Sequence, residues 1–283
     1  MHDGSTGADS DFLSEADAAA AGPRSRPRRK GIYILPNLFT LAALFGGFYA
    51  IVMAMNGRFD QAAIGVFCAM VLDSLDGRVA RMTNTTSAFG EQMDSLSDMV
   101  SFGAAPALIM YEWALKGMGK LGWLAAFVYC SGAALRLARF NTNIGVVDKR
   151  YFQGLPSPAA AALVTGLIWV MDDMGLRNVH EIEWLTWLAF AMTLYAGLTM
   201  VTNAPFYSFK DVNFKRTVPF IVIVAIALGI AVITYHPPLV LFGVFVVYGL
   251  SGYVVYGVRK SRGRPVSVIA TSTDEPDERG LHR

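Results

Sequence analysis

Long apolar runs separated by short polar segments dominate the chain between residues 31 and 259. A helix that crosses a bilayer needs roughly 20 mainly apolar residues. Eight apolar runs contain no charged residue: Ile32–Met55, Gln61–Leu72, Met99–Tyr111, Leu121–Leu135, Leu155–Met171, Trp184–Phe209, Thr217–Tyr235 and Leu239–Val258. The pattern therefore predicts an all-α polytopic bundle of about eight transmembrane spans, forming one domain over residues 31–259.

The composition supports a membrane protein. Of the 283 residues, 54% are hydrophobic and only 16% are charged, whereas soluble domains carry about 25% charged residues. The formal net charge of +2 is too balanced for a nucleic-acid binder. Residues 1–30 and 260–283 are polar and lack apolar periodicity, so we expect disordered tails there.

The basic residues lie mostly on one side of the predicted spans. With eight spans, 20 of the 24 Lys and Arg residues share a side with the basic run Arg24–Lys30. Loops rich in Lys and Arg stay in the cytoplasm. Both termini are therefore predicted to be cytoplasmic, in a protein of the inner cell membrane.

Two of the apolar runs are too short to span a membrane alone. Gln61–Leu72 reaches the required length only if its helix continues through Asp73 and Asp76 to Arg81. Met99–Tyr111 reaches it only if its helix begins before Asp94. Ionisable residues at a membrane boundary are costly unless they are paired, metal-bound or hydrated, so these acids are candidates for function.

The acidic residues of these two helices fall on matched faces. A spacing of three or four residues places side chains on one face of a helix. The first helix has Asp73, Asp76, Gly77 and Arg81 at such spacings, and the second has Gly90, Asp94 and Asp98. If the helices pack antiparallel through the link Thr83–Ala88, four carboxylates meet at the cytoplasmic boundary.

Divalent cations would relieve the repulsion among these carboxylates. Oxygen ligands without His or Cys suit Mg²⁺ or Mn²⁺, and two such ions about 3.5–4 Å apart can assist phosphoryl displacement. The predicted metal ligands are Asp73, Asp76, Asp94 and Asp98. Asp98 is also a candidate catalytic base.

Two residues beside the acids are candidates for ligand contact. Gly77 either gives a ligand room to approach or permits close helix packing. Arg81 can bind a phosphate through its guanidinium fork.

The spacing D-x2-D-G-x2-A-R-x8-G-x3-D-x3-D, from Asp73 to Asp98, resembles the signature of the CDP-alcohol phosphotransferase family. The segment Pro36–Thr40 resembles the family's P-N-x-x-T element. The resemblance implies a homodimeric enzyme that transfers the phosphatidyl group of CDP-diacylglycerol to an alcohol and releases CMP. It also implies donor contacts from Asn37, Thr40, Gly77, Arg81 and Ser87. Capping is the alternative role for Asn37, Thr40 and Ser87.

The expected acceptor rests on subfamily resemblance. Four stretches are similar to the family members that use L-serine: Asp94–Pro106, Leu135–Asn141, Phe152–Pro158 and Asn203–Lys210. The expected product is phosphatidylserine, with glycerol 3-phosphate or an inositol compound as the alternative acceptor.

Candidate contacts to the acceptor carboxylate or to a lipid phosphate are Arg136, Arg139 and Gln153, with Ser157 and Lys210 as further candidates. The alternative for the two arginines is that they anchor the helix at the cytoplasmic interface.

Two questions remain open at the level of sequence. A membrane transporter is the alternative class, but transporter sites lie near the midplane between repeats, whereas these acids cluster at one boundary. Small residues in the first span, from Ala42 to Gly47, predict close helix contact either within a subunit or across a dimer.

Overall fold

The computed structural model describes residues 34–83, 85–142, 151–176, 179, 182–208 and 220–261. The predicted tails lie outside these residues, except for Lys260 and Ser261, which end the last helix. The α-helices are α1 (Ile34–Met55), α2 (Phe59–Thr83), α3 (Ala88–Asp98), α4 (Ala105–Trp113), α5 (Lys120–Thr142), α6 (Ser157–Asp173), α7 (Glu183–Val201), α8 (Phe220–Tyr235) and α9 (Pro237–Ser261). A π-helical segment (Met99–Ala104), a 3₁₀ turn (Leu115–Met118) and strands β1 (Tyr151–Gln153) and β2 (Pro205–Tyr207) complete the described elements.

The chain is mostly helical, as the apolar pattern predicts. Among the described residues, four helices are long and apolar enough to cross a membrane: Pro36–Met55, Lys120–Thr142, Glu183–Val201 and Pro237–Ser261. Helix α6 lies inside the bundle, because every residue from Ala159 to Ile168 is buried.

The prediction of a purely helical fold misses a small antiparallel sheet. The apolar run Trp184–Phe209 was expected to be one span, but its helix ends at Val201 and β2 follows. Strand β2 pairs with β1, with Phe206 opposite Phe152. Pro205 cannot supply the amide hydrogen that a helix would need there, and strands of three residues are too short to show an alternating pattern.

Helices α1 and α2 pack closely through small residues. A Cβ atom on Gly46 would lie 3.1 Å from both the Gly65 carbonyl oxygen and the Ala69 Cβ. A Cβ atom on Gly47 would lie 2.6 Å from the Cα of Ser101. Gly46 and Gly47 of α1 therefore make close contacts within the subunit.

Both helices that carry the acids extend as the length argument requires. Helix α2 continues past Asp76 to Thr83, and the helical path from α3 passes through the π-helical segment into α4 without a break. A π-helical turn often occurs at a functional site, and this one directly follows Asp98. Side chains on either side of its start bind α1: Ser97 donates to the Thr40 carbonyl at 3.1 Å and Ser101 to the Ala43 carbonyl at 3.0 Å.

Candidate functional site

The four predicted aspartates meet where α2 and α3 face each other. Carboxylate oxygens of Asp73, Asp76 and Asp94 lie within 4.8 Å of one another. Asp98 lies beside this group, with its carboxyl in hydrogen-bonding contact with that of Asp73. The structure thus brings all four side chains together, but α2 and α3 each pack mainly against α1 and not against each other.

The cluster fits a divalent cation. Oδ1 of Asp94 and Oδ1 of Asp98 are buried, and neither has a hydrogen-bond partner within the described part of the chain. Carboxylates have no proton to donate to one another when ionised, so buried oxygens in contact need a shared proton or a cation. A set of donors made only of carboxylate oxygens suits Mg²⁺ or Mn²⁺.

Thr40 connects the first helix to the cluster. Its side chain is buried, and its hydroxyl donates to Oδ2 of Asp76 at 2.7 Å. The same hydroxyl lies 3.2 Å from the Pro36 carbonyl oxygen. Sequence reasoning assigned Thr40 to donor contact or to capping; the structure adds a third possibility, that it orients an aspartate.

A cleft of about 260 Å³, partly open to solvent, adjoins the cluster. All five predicted donor-binding residues line it: Asn37, Thr40, Gly77, Arg81 and Ser87. Asp76 and Asp94 also border it, so the cleft ends at the carboxylates. The sequence did not single out Thr85, Thr86 or Glu91, which complete the wall on the α2–α3 link and the first turn of α3.

The structure bears on the alternative roles of two cleft residues, helix packing for Gly77 and helix capping for Ser87. A Cβ atom on Gly77 would meet no described atom within 4 Å, so this glycine leaves open space and is not needed for packing among the described helices. Ser87 does cap α3, because its hydroxyl accepts from the Gly90 amide at 3.1 Å. Capping and donor contact are compatible for Ser87, since it lies on the cleft wall.

Arg136 points into the protein on the other side of Asp98. Its Nη1 donates to the Ser157 hydroxyl at 2.8 Å, and its guanidinium interacts electrostatically with Asp98. Its Nε is buried and has no hydrogen-bond partner among the described residues. This geometry does not fit a surface anchor, which would extend toward lipid headgroups.

Arg139 and Gln153 converge on a residue that sequence reasoning did not single out. Both donate to Oδ1 of Asn203, Arg139 from Nη1 at 3.3 Å and Gln153 from Nε2 at 2.9 Å. Asn203 opens one of the four stretches that suggest a serine acceptor, but no spacing rule marks it individually. Lys210, another acceptor candidate, lies outside the described residues.

The comparisons identify the class of protein. The family model for CDP-alcohol phosphatidyltransferase matches residues 33–195, which is more than half of the chain and includes all four aspartates. The chain belongs to this family, and with its four apolar helices it is an integral membrane protein.

The chain is also similar to several relatives that share one specific enzyme description. The chain is 36% identical over 231 residues to a CDP-diacylglycerol–serine O-phosphatidyltransferase of Helicobacter pylori strain J99, covering 81% of this chain and 94% of the relative. A protein of the same description from Methanocaldococcus jannaschii is 32% identical over 190 residues, covering 67% and 82%. One from Mycobacterium leprae is 30% identical over 231 residues, covering 80% and 75%.

Proposed function

We propose that this protein transfers the phosphatidyl group of CDP-diacylglycerol to the hydroxyl of L-serine, forming phosphatidylserine and CMP in phospholipid biosynthesis. One observation carries the proposal: four carboxylates converge, two of them border a cleft, and a half-buried arginine interacts with a third. The family membership gives the reaction class, and the names of the relatives give serine as the acceptor.

The donor binds in the cleft between the start of α1, the end of α2 and α3. Arg81 binds the diphosphate through its guanidinium fork. Gly77 leaves room for the nucleotide, and Asn37, Thr40 and Ser87 contribute polar contacts along the same wall. The acyl chains stay in the membrane, so the reacting phosphorus is presented at the carboxylate end of the cleft.

The aspartates would bind the cations, and one of them, Asp98, could accept a proton. Asp73, Asp76 and Asp94 would hold two divalent ions, Mg²⁺ or Mn²⁺, and Asp98 would be either a ligand of the second ion or the base. When bound, the cations neutralise charge that develops on the phosphate oxygens and on the leaving CMP. As a base, Asp98 accepts the proton of the serine hydroxyl while that oxygen attacks the phosphorus carrying the diacylglycerol.

The acceptor enters from the side of α5. Arg136 lies next to Asp98, and Arg139 and Gln153 lie close by. Their positive charge and donors suit the serine carboxylate, or alternatively a lipid phosphate. An acceptor such as glycerol 3-phosphate or an inositol phosphate would need a site for an additional phosphate.

The membrane setting is also part of the proposal. About eight spans with both termini in the cytoplasm would place the aspartates at the inner face of the cell membrane, where a cytoplasmic nucleotide meets a lipid. A homodimer is the proposed assembly, on the strength of the family resemblance. The mass of the protein–detergent complex by light scattering would test the dimer, and a monomer would contradict it.

An acceptor panel tests the chemistry. The purified full-length protein in detergent micelles is given CDP-diacylglycerol, Mg²⁺ or Mn²⁺, and one acceptor at a time, and CMP and lipid products are measured. We expect CMP release with L-serine and little with glycerol 3-phosphate or inositol. Release with another alcohol alone would overturn serine as acceptor, and no CMP release with any acceptor would revive the transporter alternative.

A further inference from the structure

The carboxamide of Asn203 has a fixed orientation in this fold. A guanidinium group can only donate hydrogen bonds, so the atom of Asn203 that faces Nη1 of Arg139 must be its oxygen. Gln153 donates to the same oxygen. The amino group of Asn203 is therefore directed away from both partners, and its two N–H groups are available because the residue is exposed.

Rigid backbone holds this amide in position. Asn203 lies between the end of α7 at Val201 and the start of β2 at Pro205. The neighbouring Ala204 carbonyl accepts from the Gly154 amide at 2.9 Å, which ties the segment to the end of β1. The position of the side chain is thus set by the sheet and by α5 together.

The amide is linked to the proposed reaction centre through α5, because its partner Arg139 lies on the same helix as Arg136. Arg139 follows Arg136 by three residues, which is about 4.5 Å of helical rise on the same face. Arg136 in turn interacts with Asp98. In serine, only two carbon atoms separate the hydroxyl from the carboxylate. The inference therefore places the acceptor hydroxyl at Asp98 and directs its carboxylate along α5 toward Arg139 and Asn203.

We infer that Asn203 is a specificity-determining residue that donates hydrogen bonds from Nδ2 to the carboxylate of the amino-acid acceptor, with Arg139 as the adjacent cation. The inference rests on the proposed function. It adds a donor group whose two N–H groups suit the two oxygens of a carboxylate, and a hydrogen bond to a charged acceptor is stronger than one to a neutral acceptor.

The substitution Asn203→Asp separates this role from a purely structural one. The aspartate keeps an oxygen that accepts from Arg139 and Gln153, but it loses both N–H groups and adds a negative charge. We expect the KM for serine to rise about tenfold or more, because a hydrogen bond to a charged group is lost. The KM for CDP-diacylglycerol should stay within about twofold.

The matched control is Asn141→Asp, which adds the same charge near the end of α5. Asn141 donates to the Ser95 hydroxyl at 3.0 Å, and in the variant that hydroxyl can donate to the new carboxylate instead. We expect its serine KM to stay within about twofold of wild type. If the serine KM rises as much in Asn141→Asp as in Asn203→Asp, the added negative charge alone explains the effect, and the inference is overturned.

A second measurement does not depend on how well a variant folds. L-serinamide, in which a neutral amide replaces the carboxylate, is compared with L-serine as acceptor in wild type and in both variants. The ratio of kcat/KM values should favour serine in wild type and fall about tenfold in Asn203→Asp alone. An unchanged ratio in Asn203→Asp would overturn the role of Asn203, whereas wild type without serine-dependent CMP release would overturn the proposed function itself.

Discussion

Thr40 donates a hydrogen bond of 2.7 Å from its hydroxyl to Oδ2 of Asp76, joining the first helix to a residue 36 positions later. The bond is buried, with Thr40 only 4% and Asp76 only 5% exposed. Partners of metal-binding carboxylates fix their orientation and are costly to remove. Thr40 therefore orients Asp76 and also lines the cleft.

Replacing Thr40 with Val removes the hydroxyl and keeps the branched shape. We expect the cation concentration that gives half-maximal activity to rise about 10- to 100-fold, because Asp76 loses the bond that orients it. Thr40→Ser keeps the hydroxyl and should stay near wild type. Titration of Mg²⁺ or Mn²⁺ against CMP release measures this, and an unshifted titration in Thr40→Val would contradict the role.

Asp98→Asn tests the reaction centre directly. The amide keeps the shape of the side chain but can neither accept a proton nor bind a cation as a carboxylate does. We expect serine-dependent CMP release to fall about 10²-fold or more, with the helical signal in circular dichroism unchanged. Asp60→Asn, in the first turn of α2 and away from the cluster, is the control that should keep wild-type turnover.

Gly77 tests the donor cleft without disturbing packing. A Cβ atom at this position would meet no described atom within 4 Å, so we expect Gly77→Leu to leave the melting temperature unchanged or slightly raised. It should raise the KM for CDP-diacylglycerol about tenfold, by occupying cleft volume, and leave the KM for serine unchanged. Gly243→Leu, also on open helix surface, is the control; equal kinetics for the two variants would argue against donor binding at Gly77.

Gly47 tests the packing that supports the site. A Cβ atom there would lie 2.6 Å from the Cα of Ser101, so Gly47→Ala must push α1 away from the π-helical segment. We expect a loss of about 1–3 kcal/mol in stability, seen as a lower melting temperature in detergent. Gly243→Ala has no such contact and should melt at or slightly above the wild-type temperature. Equal melting temperatures for Gly47→Ala and Gly243→Ala would show that α1 and the π-helical segment can separate without loss of stability.

The sequence predicted the acidic cluster well because helical periodicity determines which residues share a face. Asp73, Asp76 and Asp94 lie on regular helices joined by a short link, and both helices pack against α1. The five cleft residues follow from the same helices and from the family resemblance. Helical periodicity and motif spacing therefore predicted which residues form this half of the site.

The acceptor side depends on contacts between residues distant in the sequence. Asn203 meets Gln153 and Arg139 from positions 50 and 64 residues away, and no periodicity in the sequence relates them. The short strands that bring them together carry no detectable alternation. For the same reason the bond between Thr40 and Asp76 could not be predicted, because it depends on how closely α1 and α2 approach.

The most direct test of the central claim is the cation dependence of phosphatidylserine formation. The wild-type protein is stripped with a chelator in micelles, given CDP-diacylglycerol and L-serine, and titrated with Mg²⁺ or Mn²⁺ while phosphatidylserine and CMP are measured together. If the aspartates bind the cation, no product forms after chelation. Phosphatidylserine and CMP then form in equal amounts as the cation is restored. Serine-dependent product formation at the full rate after chelation would contradict the account.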